Sequence, residues 1–225
     1  MGRALSCGSL AVMLLVGGCC HVNNLPANLP KVQRVLVVPE IHGGPSVVVE
    51  THNEERRGAV GLIGGIAAVA AGAVTYDKIY EAATPERMLA VLQRAFTSQV
   101  TAQLKFQAVT DPKEPHDAVL RIAVNNYGIR SLSHGYPPEY FFDAQAELVG
   151  VPGDVLLWRD CDWLRGPLSP VIVYGPGSAT ANAVIGMGVV AGMPMEALTE
   201  MFDRIADDAG RVLADFMAAD AHEAP

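Results

Sequence analysis

The chain of 225 residues carries 16 basic and 24 acidic side chains, a formal net charge of −8, and half of its residues are hydrophobic. A chain of this length can bury one sizeable core, which indicates a single domain and little more. Because it is acidic and has no basic cluster beyond Arg56 and Arg57, its composition argues against nucleic acid and anionic lipid surfaces as partners.

The first eighteen residues have the composition of an export signal. Arg3 precedes a mostly apolar run over residues 10–16. This run is too short to span a membrane as a helix, which needs about 20 apolar residues. The small residues Gly17 and Gly18 follow, where such signals are cleaved. The pattern predicts a signal peptide over residues 1–18, and its removal leaves 207 residues with a formal charge of −9.

The sequence Val16-Gly17-Gly18-Cys19 resembles the lipobox of bacterial lipoproteins. The resemblance implies that Cys19 carries a thioether-linked diacylglycerol and an acylated amino terminus once the signal is removed. Two or three acyl chains anchor a protein stably, since each buried methylene contributes about 0.8 kcal/mol. The residue after Cys19 is not Asp, which in such lipoproteins implies export to the outer membrane. An ordinary secretory signal with incidental cysteines is the alternative.

Residues 19–31 are polar and interrupted by prolines, so they predict a tether between the lipid and a domain over residues 32–220. Besides the predicted lipidation site, the chain keeps Cys20 and Cys161 after the signal is removed. We expect Cys161 to be a buried thiol that behaves as a small hydrophobe. A disulfide with Cys20 is the alternative, and it requires the tether to fold back.

Periodic patterns predict the secondary structure of the domain. Apolar residues every three or four positions indicate helices, and alternating or β-branched runs indicate strands. In chain order the predicted elements are a strand over 32–38 that stops at Pro39, a turn at 42–45, a strand at 47–49, a helix from Thr84 to about Lys105, a strand at 118–124, a hairpin of 140–149 and 155–158, and a helix over 195–217. Together they predict an α/β (α+β) domain with a mixed or antiparallel sheet and two long amphipathic helices on one face.

Two glycine-rich apolar stretches, residues 58–74 and 175–193, interrupt this pattern. Small residues recur four positions apart in both, which lets a helix approach another backbone closely. Because each glycine costs a helix about 1 kcal/mol, a packing partner has to supply stability. For residues 58–74, a membrane-inserted segment and a glycine-rich loop are the alternatives. The predicted helix-packing positions are Gly61, Gly65, Gly72, Gly188 and Gly192.

No set of catalytic acid, base and nucleophile can be assembled from the sequence. His42 is followed by two glycines, as in the oxyanion loop of lipases, but no Gly-x-Ser-x-Gly nucleophile elbow accompanies it. Asp160 and Asp162 could bind a cation, although two carboxylates at this spacing on a strand usually face solvent. We therefore expect a non-enzymatic protein without a cofactor or a metal. An envelope hydrolase using His42 or Asp160, and a pore-former through residues 58–74, are the alternatives.

The order of the predicted elements resembles a group of α/β lipoproteins similar to the curli-secretion channel subunit and to the domain at the start of TolB. The matching segments are the strand at residues 34–39, the amphipathic helix, the strand at 117–124 and the hairpin from 146–149 to 156–158. The resemblance covers roughly residues 33–165 and a closing helix. It implies a domain for assembly or envelope transport, with no catalytic residues to carry over. The two glycine-rich stretches depart from it and argue against a β-barrel pore.

The sequence thus predicts an outer-membrane lipoprotein of the bacterial cell envelope that acts as an assembly, transport-accessory or structural component. Its expected partners are the membrane, through the lipid on Cys19, and another protein or further copies of the same chain. No nucleic acid is expected.

Overall fold

The structure is a computed structural model that describes residues 20–49, 74–131, 137–168 and 178–223. The strands are β1 (Val22–Asn23), β2 (Arg34–Ile41), β3 (Pro45–Val49), β4 (Gln107–Val109), β5 (Ala118–Ser131), β6 (Glu139–Gly150) and β7 (Val155–Pro167). The helices are α1 (Leu25–Asn28) with a following 3₁₀ turn (Leu29–Lys31), α2 over the described residues 74–82, α3 (Pro85–Leu104), α4 (Ser178–Gly192) and α5 (Met195–Ala221).

The described strands form one mixed sheet in the order β1-β7-β6-β5-β2-β4. β5, β6 and β7 form an antiparallel meander, and β1 pairs antiparallel with β7 at one edge. β2 and then β3 run parallel to successive parts of β5, while β4 runs parallel to the start of β2. The predicted α/β class with a mixed sheet is confirmed.

The two long helices, α3 and α5, cover one face of this sheet. α3 begins as predicted, because the Thr84 side chain accepts a hydrogen bond from the backbone N–H of Arg87 at 3.3 Å and Pro85 occupies the first turn. Phe96 of α3 packs beside Trp158 of β7 with ring centroids 6.4 Å apart. These buried rings place the hydrophobic core between the helices and the inner face of the sheet.

β2 continues through Pro39, where the sequence predicted that it ends. β4 pairs with β2 only over residues 34–36, whereas β5 pairs with it over residues 35–41. Beyond β4, β2 therefore has one neighbour among the described strands, and a residue without an N–H is tolerated there. At the turn expected after β2, the backbone of Gly43 lies close to the backbone of Asn125. A Cβ on Gly43 would lie 2.0 Å from the carbonyl oxygen of Asn125.

α5 is one turn longer than predicted, ending at Ala221 and not near residue 217. Its buried side includes Ala206, Gly210 and Ala214, whereas the apolar side chain of Phe216 in the same helix is 43% exposed. Among the described residues no single helix is long and apolar enough to cross a membrane. α4 from Ala181 and α5 satisfy the criterion only as a pair bent by 111°.

Residues 20–31 are part of the folded domain and not the tether that their composition predicted. Leu25 is fully buried in the core, and the backbone N–H of Asn24 donates to the carbonyl oxygen of Leu157 at 2.8 Å. Pairing with the edge strand satisfies backbone groups that a free tether would leave to water, and the core takes up the leucine. The prolines and polar residues of this segment do not outweigh the stabilisation from strand pairing and from the burial of Leu25.

Asp117 fixes the start of β2 beside the start of β5. Its carboxylate accepts hydrogen bonds from the backbone N–H groups of Arg34 at 2.8 Å and Gln33 at 3.0 Å. These two bonds, with Arg34 contributing most, lower the pKa of the Asp117 carboxyl.

A lowered pKa in the folded state means that Asp117 stabilises the fold above its unfolded pKa and loses this contribution as pH falls through its folded pKa. We expect Asp117→Asn to lower the free energy of unfolding by about 1 kcal/mol at pH 7, since a charged acceptor becomes neutral. At pH near 2 the difference from the wild type should vanish. Urea unfolding at both pH values measures this, and an equal difference at both would contradict the assignment.

Candidate functional site

A disulfide joins the amino-terminal strand to the sheet. In the antiparallel pair of β1 and β7, Val22 lies opposite Arg159. Continuing this register by two residues places Cys20 opposite Cys161, and these two form a disulfide with their Cα atoms 5.8 Å apart. The expected buried thiol at Cys161 is therefore wrong. That expectation rested on a free tether, and the pairing of β1 with β7 brings Cys20 back to the sheet.

Asp160 and Asp162 lie on the face of the sheet that the helices cover. In the register of β6 and β7 they are opposite Ala146 and Ala144, both fully buried. Cys161 between them lies on the other face, because neighbouring side chains on a strand alternate. The expectation that the two carboxylates face solvent is wrong, because these polar residues of β7 lie on the sheet face that the helices cover. Burial raises the pKa of the Asp162 carboxyl, and the charges of Asp160 and Asp143 raise it further.

His21, Asp160 and Asp220 converge at this edge from three elements. His21 Nδ1 lies 3.1 Å from Asp160 Oδ2 and 3.7 Å from Asp220 Oδ2. His21 leads into β1, Asp160 lies on β7, and Asp220 lies in the last turn of α5. Trp158, two residues before Asp160 on the same face, donates its Nε1–H to Asp220 Oδ2 at 2.7 Å. We call these three residues the chain-end cluster.

The ends of the described chain are also joined by polar contacts beside this cluster. The Asn23 side-chain amide donates to the carbonyl oxygen of Asp220 and to the carboxylate of Glu223, both at 3.2 Å. These contacts fix the carboxyl end of α5 on the edge formed by β1.

The chain-end cluster carries an excess of negative charge. The hydrogen bond to Asp160 raises the pKa of His21 most, and the charges of Asp220, Asp160 and Glu223 raise it further against the opposing effect of burial. In the ion pairs of the described residues, His21 is the only basic side chain that meets these carboxylates. Three acidic groups thus face one imidazole at an edge where Asp220 is only 9% exposed.

One imidazole nitrogen and two carboxylate oxygens within 4.8 Å of one another are a donor set for a divalent cation. The cluster contains no Ser, Thr or Cys thiol that could act as a nucleophile. No spacing motif marks it, because His21 and Asp160 are 139 residues apart in sequence. Asp220 was missed because it lies beyond the predicted end of the last helix.

His42 belongs to a separate group on exposed surface. Its Nδ1 lies 3.1 Å from Asn125 Oδ1, and its Nε2 lies 3.0 Å from Glu40 Oε2. Glu40 in turn faces Arg121 at 3.7 Å. Among the described interactions nothing joins this group to Asp160, so His42 and Asp160, the alternative residues for a hydrolase, lie in separate groups.

The outer face of the sheet, opposite the helices, carries a row of cross-strand charges. Arg121 of β5, Glu147 of β6 and Arg159 of β7 lie opposite one another in register. Glu147 accepts hydrogen bonds from Arg121 at 2.8 Å and from Arg159 at 2.9 Å. Burial raises the pKa of Glu147, but the two guanidinium groups outweigh this effect and leave it lowered. The row pairs its charges internally, as a solvated sheet face does.

The predicted sites in the amino-terminal and first glycine-rich segments lie outside the described residues. These are Cys19, Gly61, Gly65 and Gly72. Gly188 and Gly192 are described, and a Cβ added at either would meet no described atom within 4 Å. Their role in helix packing, against residues 58–74 or against another copy, stays a prediction.

Two other glycines in helices, Gly210 and Gly186, lie in close contact with neighbouring residues. A Cβ on Gly210 would lie 2.6 Å from the carbonyl oxygen of Leu92, so α5 touches the backbone of α3 there. A Cβ on Gly186 would lie 2.4 Å from Pro138. The signal for Gly210 was present in the sequence, since Ala206, Gly210 and Ala214 recur four apart.

No protein-family model matches the chain, and no curated protein is a significant relative of it. Its fold is similar to protein XCC0632 from Xanthomonas campestris, of family model DUF330, with 13% identity, coverage of 83% of this chain and 89% of that one, and a TM-score of 0.36. A PelC dodecamer from Paraburkholderia phytofirmans has 12% identity, coverage of 71% and 89%, and a TM-score of 0.30. Lipoprotein GNA1162 from Neisseria meningitidis has 18% identity, coverage of 72% and 99%, and a TM-score of 0.26.

Two of these neighbours are described as a lipoprotein and as a dodecamer, and none of the three descriptions names a catalytic activity. With TM-scores below 0.5 and identities below 20%, these likenesses carry no inference about what this chain does.

Proposed function

We propose that this chain is a lipid-anchored protein of the bacterial outer membrane, attached through Cys19, that acts as a non-enzymatic assembly or transport-accessory component. The observation that carries the proposal is the disulfide between Cys20 and Cys161. Disulfides persist in oxidising compartments such as the periplasm and are rare in the reducing cytosol. The disulfide therefore supports export independently of the signal-like composition of residues 1–18.

The disulfide also defines how the lipid would hold the domain. Cys20 directly follows the predicted lipidation site and is bonded to Cys161 on β7, the strand that pairs with β1. The chain that joins the acyl groups to the folded domain is thus one peptide unit long. Such an anchor holds the edge formed by β1 and β7 at the membrane surface and restricts the orientation of the domain.

A domain held at a fixed orientation suits a component that presents one surface to a partner at the membrane. We propose that the partner is another envelope protein or a second copy of this chain. Gly188 and Gly192 are offered for that contact, since nothing described packs on them. A strictly monomeric protein after solubilisation in detergent would contradict the oligomer.

The anchor is tested by metabolic labelling with palmitate, followed by membrane fractionation. We expect the wild type to be labelled and to remain with outer membranes, and Cys19→Ala to lose the label and leave the membrane fraction. Cys20→Ser is the matched control, because it removes the neighbouring thiol and should keep the label. Labelled Cys19→Ala protein, or loss of label in Cys20→Ser alone, would contradict the assignment of Cys19.

A further inference from the structure

We infer that His21, Asp160 and Asp220 form a zinc site that ties the amino-terminal strand to the last turn of α5. The inference concerns the chain-end cluster alone and does not depend on the proposed lipid anchor. It rests on the positions of the donor atoms, the uncompensated charge and the contacts that orient the ligands.

The two separations between His21 and the carboxylates are close to those of a tetrahedral zinc site. Zinc binds nitrogen and carboxylate oxygen at about 2.0 to 2.2 Å, and tetrahedral geometry then places neighbouring donors about 3.4 Å apart. His21 Nδ1 is 3.1 Å from Asp160 Oδ2 and 3.7 Å from Asp220 Oδ2. All three donors lie within 4.8 Å of one another. Small side-chain rotations suffice to place one ion between them, and water would complete the fourth position.

The charge of the cluster favours a divalent cation over the imidazole alone. Asp160 and Asp220 face His21, and Glu223 lies close enough for its charge to act on the same ring. No described Arg or Lys forms an ion pair with these carboxylates. Carboxylates removed from water are costly unless they are paired or bind a metal. A zinc ion between Asp160 and Asp220 would neutralise both.

Hydrogen bonds outside the donor set hold both carboxylates in place. Trp158 Nε1–H donates to Asp220 Oδ2, the donor oxygen itself, at 2.7 Å. The backbone N–H of Cys161 donates to Asp160 Oδ1 at 2.7 Å, which leaves Asp160 Oδ2 directed to His21. Such outer contacts orient ligands and raise the affinity of a site for its metal. The disulfide of Cys20 fixes the backbone next to His21. The site is therefore preorganised by three elements that the rest of the fold already holds together.

The donor chemistry selects among cations. One imidazole and two carboxylates suit zinc and related first-row ions. Calcium requires about six to eight oxygen ligands, and magnesium retains most of its waters in octahedral geometry. Neither is well served by three donors of this kind.

Isothermal titration calorimetry with zinc chloride tests the inference on the full-length chain in detergent, without a histidine tag, with its disulfide intact, other thiols alkylated and metals removed by chelation. We expect one saturable zinc per chain. We expect His21→Gln, Asp160→Asn and Asp220→Asn each to weaken binding by about tenfold or more, since each removes one of three ligands. His42→Gln is the matched control, a histidine beside a carboxylate outside the cluster, and should bind as the wild type does.

Circular dichroism shows whether each variant is folded, and Asp220→Asn keeps an amide oxygen that can accept from Trp158. Cobalt provides a second measurement on the wild type that does not depend on any variant. We expect the intense visible absorption of tetrahedral cobalt, and its displacement by zinc. Absence of saturable zinc binding, unchanged binding in folded His21→Gln, equal affinity for calcium, or a weak octahedral cobalt spectrum would each overturn the inference.

Discussion

We expect the double variant Cys20→Ser/Cys161→Ser to unfold with a free energy about 3 to 4 kcal/mol lower than that of the wild type. The two cysteines are 141 residues apart, so the bond closes most of the mature chain into one loop. Without it the unfolded chain gains the freedom of that loop, for which the chain-entropy treatment gives about 5 kcal/mol and experiment on other proteins usually about 2 to 4. Replacing both cysteines avoids leaving one free thiol that could cross-link two chains.

Urea unfolding with and without a reductant measures this effect. The reductant should lower the stability of the wild type to that of the double variant and leave the double variant unchanged. Electrophoresis without reductant should show faster migration of the unfolded wild type. Equal stability of wild type and double variant, or a reductant effect that persists in the double variant, would contradict the role assigned to the bond.

In the native state, we expect the double variant to lose structure only near β1. Leu25 remains buried and Asn24 still donates to Leu157, so the segment after β1 keeps contacts that do not depend on the disulfide. β1 itself pairs over only two residues, and apart from this pairing it is held by the side-chain hydrogen bonds of Asn23 to Asp220 and Glu223. We therefore expect faster hydrogen exchange at Val22 and Asn23 in the double variant, with the meander of β5, β6 and β7 unaffected.

Local signals predicted the elements whose stabilisation is local or repetitive. The start of α3 at Thr84 and its periodic apolar residues are both confirmed, because the helix start and the buried stripe depend on residues three or four apart. The alternation in β6 predicted its buried face for the same reason. The prediction that β2 ends at Pro39 was wrong. The effect of a proline on a strand depends on whether a neighbouring strand is present, and that is a property of the sheet.

The chain-end cluster could not be predicted, because each of its parts depends on a distant one. A strand of two residues is too short to show the alternation of apolar and polar side chains that predicts strands. β1 could therefore not be recognised in a segment whose composition is typical of a tether. Without β1, Cys20 and His21 have no position, and neither the disulfide nor the site follows. The face of Asp160 is equally a tertiary property, since at a sheet edge polar residues can lie under the helices.

Glycine spacing illustrates the same limit. A repeat of four indicates that small residues share a helix face, but it does not say what lies opposite that face. Gly188 in α4 faces no described atom within 4 Å, whereas Gly210 in α5 meets the backbone of α3. The two positions therefore allow one substitution to be compared in two environments.

We expect Gly210→Ala to lower the free energy of unfolding by about 1 to 2 kcal/mol and Gly188→Ala, in the monomeric chain, to raise it by up to about 1 kcal/mol. Alanine favours a helix over glycine by about 1 kcal/mol at both positions. At Gly210 the added Cβ would lie 2.6 Å from the carbonyl oxygen of Leu92 and 2.9 Å from the Cβ of Ala95. A backbone oxygen cannot rotate away as a long side chain can, so α3 and α5 must separate, and such overpacking costs about 1 to 3 kcal/mol or more.

The opposite signs separate packing from helix propensity, because propensity alone would stabilise both variants. Urea unfolding gives the two free energies, and the slope of each transition checks that both variants unfold as the wild type does. If Gly210→Ala were as stable as the wild type, the close approach of α5 to α3 would be wrong. The stability of Gly188→Ala is measured at concentrations at which the chain is monomeric, so that the proposed contact of Gly188 with a partner or a second copy does not act. If the variant were destabilised there, an atom beyond the described part of the chain would have to lie against that face of α4.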